Sequence, residues 1–179
     1  MSRLEGNPAA ARQLLVAALT VYGIRCLQTP DTFRLLDNVD LAIHETGHLV
    51  FAPFGELLTV LGGTLFQLIV PLAFVITFWR RGERYAAYIT GWWVAQSCWN
   101  IARYAADARA QELPLVGGGE HDWTWLLDSL GWLEQDQTVA STIRVIGALL
   151  FGLSMLGAAM NARRPRYDPD EDATAAPAS

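Results

Sequence analysis

Residues 57–79 read LLTVLGGTLFQLIVPLAFVITFW, without one charged side chain. About 20 apolar residues span the hydrocarbon of a bilayer as a helix, so this stretch is long enough to cross one. The composition agrees. The chain has 179 residues, enough for one compact domain, and is 52% hydrophobic but only 17% charged, where soluble domains carry about 25%. Seven tryptophans fit a chain that meets two membrane interfaces. A net charge of −5 supplies no basic footprint for nucleic acid, so no nucleic-acid partner is expected. Within the stretch, Gly63, Gln67 and Pro71 share one helical face. Pro71 has no N–H for the carbonyl of Gln67. Either a broken helix lines a polar cavity there, or the glycines admit a neighbouring helix at close range.

Outward from this span, the hydropathy pattern predicts an all-α, polytopic membrane helix bundle. It has about five hydrophobic segments and one short interfacial helix. The first covers about Ala9 to Leu27, opened by Pro8 and bracketed by Arg12 and Arg25; it reads as a retained span, because Arg25 stands where a signal-peptide cleavage site would need small residues. The second runs from Leu35 to Phe54 and carries Asp37, Asn38, Asp40, His44, Glu45 and His48. Ionisable groups in a membrane segment are costly and point to function. The fourth runs from Tyr85 to Ala108. Its Gln96, Asn100, Arg103 and Asp107 form a polar stripe expected to face a cavity, with Arg103 and Asp107 spaced to pair. The fifth is Thr138 to Met160, with small residues spaced for close contact at Ala148/Gly152 and Ser154/Ala158.

The connection 109–137 holds Gly117-Gly118-Gly119, Glu120-His121-Asp122, and an amphipathic stretch from Trp123 to Leu133 with Asp122 as its expected N-cap. Residues 1–167 form one membrane-embedded domain on this reading. Residues 168–179 are acidic and rich in Ala and Pro, the composition of a disordered tail. Cys26 and Cys98 have no metal or redox spacing and read as packing residues.

The second segment contains His44-Glu45-Thr46-Gly47-His48. Helical residues four apart share a face, so both imidazoles can reach one ion at about 2.0–2.1 Å. Glu45 beside them is placed to take a proton from a water that the ion activates. Catalytic zinc takes three protein ligands and keeps one position open. The remaining histidine, His121, is the first choice for the third ligand. Asp122 beside it can ligate or can orient His121, and Asp107 and then Asp128 follow as candidates. Asn100 or Arg103 can stabilise an oxyanion. The expected cofactor is one Zn²⁺ per chain. The expected activity is hydrolysis of a peptide bond in or near a membrane segment, with Glu45 as general base. The alternative is a non-catalytic membrane subunit that packs against partners or its own copies around a structural or vestigial metal site.

Ile43-His44-Glu45-Thr46-Gly47-His48, with Ala52 and Gly55 after it, resembles the site-2 protease family of intramembrane zinc metalloproteases. The resemblance covers roughly residues 41–71, including Gly62-Gly63, and implies His44 and His48 as ligands and Glu45 as base. That family draws its third ligand from an Asp-Gly pair on a later helix. Here Leu127-Asp128-Ser129 and Glu120-His121-Asp122 stand instead, as in a distant, compact relative.

Two connections are strongly basic, Arg80 to Arg84 and Arg163 to Arg166. The positive-inside rule puts both in the cytoplasm, as expected for a bacterial inner-membrane protein, and loop 109–137 outside. His44, His48 and His121 then share the outer side. The first connection leaves two topologies: five full spans with the N-terminus outside, or a re-entrant second segment with the N-terminus inside.

Overall fold

A computed structural model describes residues 7–114 and 121–163. The proposed tail at 168–179, Arg164, Arg166 and the glycine run before His121 lie outside the described residues. The described chain is helical: α1 Pro8–Gln28, α2 Leu35–Phe51, α3 Glu56–Arg80, α4 Arg84–Ala106, α5 Asp122–Ser129 and α6 Asp136–Asn161. Asn7 caps α1 by accepting from the amide of Ala9 at 3.0 Å, and Pro8 takes the first position, where its missing N–H costs nothing. Asp37 closes the start of α2 by accepting from the amide of Arg34 at 2.6 Å. Gly55, at φ 98°, turns the chain from a 3-10 turn into α3.

Pro8–Gln28, Glu56–Arg80 and Leu133–Asn161 are long and apolar enough to cross a membrane. This supports an integral-membrane location and embedding in lipid. α4 is as long but more polar, and its place in the bundle explains why. It is the central helix, packed most extensively on α6 and also against α3, α1 and α2. Trp92, Ala95, Trp99, Phe151, Met155 and Ala158 build the core between α4 and α6, with Val16 and Cys26 of α1. Trp92 Nε1 donates to the carbonyl of Leu19 at 3.1 Å, and Trp99 Nε1 to that of Arg144 at 3.2 Å. Of the small residues on α6, Ser154 and Ala158 are buried as expected, whereas Gly152 faces open space. Gly147 and Gly157 take that role, lying against Trp99 and Tyr88.

Helix ends sort into two sets. The hydroxyl of Tyr85 donates to the carbonyl of Arg12 at 3.0 Å, so α1 begins beside the α3–α4 turn. At the other end, Arg34 donates to the carbonyls of Arg25 and Thr29, and α2 starts there. Since α3 also starts at that end and runs to Arg80, the chain enters and leaves α2 on the same side of the bundle. α2 thus lies across α3 and α4 without carrying the chain from one end to the other.

Candidate metal centre

The face of α2 that is buried carries Asp37, Asp40, His44 and Gly47, at spacings of three, four and three. Gly47 is where α2 meets α3. A Cβ there would sit 2.2 Å from the carbonyl oxygen of Gly62, and one on Gly62 would sit 2.7 Å from Cβ of Phe51. Only a missing side chain permits this approach. Gly63 continues the contact: a Cβ would lie 2.5 Å from Nε2 of His44. The glycines of the third segment therefore serve close packing. α3 continues unbroken through Pro71, which is buried on the face it shares with Gly63 and Gln67.

The rings of His44 and His48 stand edge to face, 4.8 Å apart. Oδ2 of Asp122 is 2.8 Å from Nε2 of His44 and 3.2 Å from Nε2 of His48. These three residues offer donor atoms that all lie within 4.8 Å of one another. Nδ1 of His48 donates to the carbonyl of Thr59 at 2.8 Å, which orients the ring so that Nε2 faces the cluster. Two bonds of about 2.1 Å at a tetrahedral angle set their donor atoms about 3.4 Å apart, close to the 3.2 Å between Asp122 and His48. Two neutral imidazoles and one carboxylate suit zinc and related divalent ions. The donor set fits such an ion. Burial works to raise the Asp122 carboxyl, and its hydrogen bonds to His44 and His48 more than offset this, so it stays below the ordinary carboxylate range.

His121, the expected third ligand, is placed otherwise. Its Nδ1 accepts from the amide of Thr124 at 3.3 Å, and its Nε2 stands 3.4 Å from Oδ2 of Asp107. His121, rather than Asp122, is thus the N-cap of α5. Asp122, released from capping, is the residue that reaches the two histidines. Burial pushes the His121 imidazole below its usual pKa, against the opposing pull of Asp107. Asp107 also accepts from the amides of Glu112 and Leu113, each at 3.0 Å, and does not pair with Arg103. Asp128 is exposed on α5 and joins nothing at the site.

A cavity of about 280 Å³ opens beside the cluster, lined by His44, Glu45, Gln67, Asn100, Arg103 and Tyr104, with apolar walls that include Phe33 and Leu41. Glu45 is half-buried on its wall. Asn100 accepts from Nε2 of Gln67 at 2.9 Å, and Arg103 lies over the ring of Phe33. Of the polar stripe on α4, Asn100 and Arg103 face this cavity, whereas Gln96 donates to Asp37 at 2.9 Å. Tyr104 and Thr59 went unmarked in the sequence. Tyr104 stands between the rings of His44 and His121, at 5.8 and 4.1 Å, and its only sequence signal is adjacency to the stripe. Thr59 acts through a backbone carbonyl, which no side-chain pattern reveals. The chain matches no family model, no curated protein and no solved structure.

Proposed function

We propose that this protein is a metal-dependent membrane hydrolase that cleaves peptide bonds in or near a membrane segment, with His44, His48 and Asp122 as the ligands of one zinc ion. The observation that carries the reading is the meeting of Asp122 Oδ2 with Nε2 of both histidines, beside a cavity that His44 and Glu45 both line. Two facts favour catalysis over a structural site. Among the described residues the donor set has three protein groups, the count typical of catalytic zinc. A carboxylate outside that set lines the adjoining space. A bound divalent ion supplies Lewis acidity and lowers the pKa of water to about 7.

The chain's own groups do the rest. Glu45 takes a proton from the attacking water and returns it to the leaving amine. Asn100, whose oxygen is engaged by Gln67, has its amide hydrogens left to meet developing negative charge, and Arg103 is the second candidate for that role. The apolar walls at Phe33 and Leu41 suit an extended apolar substrate strand. In the bilayer, the turn at Arg80–Arg84 and the start of α1 face the cytoplasm, and the metal centre lies toward the outer face. α2 is then re-entrant, and the N-terminus is inside.

The test uses the full chain in lipid vesicles with a membrane-segment peptide as substrate. Glu45→Gln is expected to keep its metal and to lose cleavage by at least ~10²-fold, the usual worth of a general base. Unchanged turnover in that variant would end the hydrolase reading.

A further inference from the structure

Asp122 is the first residue of an eight-residue helix, and so short a helix has little stability of its own. The carboxylate is only as well placed as that first turn. We infer that Asp107 and His121 act as a relay that fixes the first turn of α5, and through it Asp122, against His44 and His48. His121 is on this view a positioning residue rather than a ligand. The inference rests on the metal-centre reading above and deepens it.

The relay is read atom by atom. His121 is 2% exposed, and a buried polar ring requires partners at both nitrogens. Its Nδ1 accepts from the amide of Thr124. A neutral ring that accepts at Nδ1 carries its hydrogen on Nε2, and the carboxylate facing Nε2 is Oδ2 of Asp107, 3.4 Å away. Among the described residues Nε2 has no partner at full hydrogen-bond geometry, and the Asp107 carboxylate is the charged group that faces it, so this longer electrostatic contact is the one that orients the ring. Asp107 is a firm anchor. It follows directly on the end of α4 and holds the amides of Glu112 and Leu113.

One carboxylate therefore ties the end of the central helix to the loop after it and to the cap of α5. Two further contacts brace the same turn. The hydroxyl of Thr124 donates to the carbonyl of Ala108, and Gln111 Nε2 donates to that hydroxyl at 3.2 Å. The ring of Tyr104 covers one side of His121, at 4.1 Å between centroids. Serine, threonine, aspartate and asparagine are the usual N-caps. Histidine adds what they lack, a second nitrogen on the far side of the ring that reaches another anchor.

The experiment reads metal affinity and ligand identity together. The full chain in detergent is stripped with a chelator and titrated with Co²⁺, the affinity being read by chelator competition and the ligand field by visible absorption. His121→Ala and Asp107→Ala are each expected to bind Co²⁺ about 10–100-fold more weakly. At saturation both give the wild-type spectrum, because the three ligands are unchanged. His121→Asn, whose carboxamide oxygen can cap the Thr124 amide, is expected to recover most of the affinity. A shifted spectrum at saturation in His121→Ala makes His121 a ligand and overturns the relay. So does wild-type affinity in both alanine variants. Where the alanine variants do not fold, a His121→Asn chain no tighter than a His121→Gln chain overturns it as well. A wild-type chain that takes up no Co²⁺ defeats the metal-centre reading itself, a separate result.

Discussion

Two carboxylate sites share one face of α2, the buried pair Asp37 and Asp40 and the half-buried Asp122, and they follow opposite rules. In the first, Asp37 and Asp40 meet neutral donors from α4. Gln96 donates to Asp37 at 2.9 Å, and Trp93 Nε1 and Ser97 Oγ both donate to one oxygen of Asp40, at 3.0 and 3.4 Å. In the second, one turn further on, Asp122 meets two imidazoles. The first arrangement joins α2 to the central helix, with each donor hydrogen directed to a specific acceptor. The second brings three groups that can all give lone pairs to one point. Such convergence suits a cation shared among the three groups, whereas the Asp37–Asp40 group is tied to α4 by neutral hydrogen bonds, with Oδ2 of Asp40 left without a partner among the described residues.

The contrast can be broken by the same change made on each side. Asp122→Asn removes the anionic donor from the second group and is expected to weaken zinc binding by more than about 100-fold, beyond what supporting residues contribute; competition against a chelator checks it. Next in size is Gly63→Ala. Its methyl would meet the His44 ring at 2.5 Å, so the ring must move. Overpacking of this kind costs about 1–3 kcal/mol. A lower melting temperature should accompany weaker metal binding in one variant, since packing and ligand placement share the contact. Asp40→Asn is the smallest. The carboxamide still offers an acceptor to Trp93, so a loss of about 1 kcal/mol in stability is expected, with metal affinity at the wild-type value. Metal loss in Asp40→Asn equal to that in Asp122→Asn would dissolve the distinction between the two groups.

The positions of the helices are legible in the sequence because apolar runs broken by Pro, Gly and arginine clusters mark them to within a turn. His44 and His48 are legible because a four-residue spacing on a helix is a local property. The third donor is not, since it depends on which of two adjacent residues caps α5. Sequence preference favours Asp122 as the cap and leaves His121 for the metal. The fold reverses the two, because His121 has a second anchor in Asp107. The path of α2 is also hidden. The run from Leu35 to Phe54 reads in the sequence as a hydrophobic segment open to either topology, and the contacts of Arg12 with Tyr85 and of Gly47 with Gly62 fix where the ends of α2 fall. Gly62-Gly63 allowed either a broken helix or a tight crossing, and the backbone distances decide for the crossing.

The most direct measurement is elemental analysis of the purified full chain, set beside a His44→Ala/His48→Ala double variant prepared identically. The wild-type chain should carry about one zinc or similar divalent ion, and the double variant essentially none. Equal metal content in the two preparations, whether both loaded or both empty, would contradict the metal centre and with it the hydrolytic function.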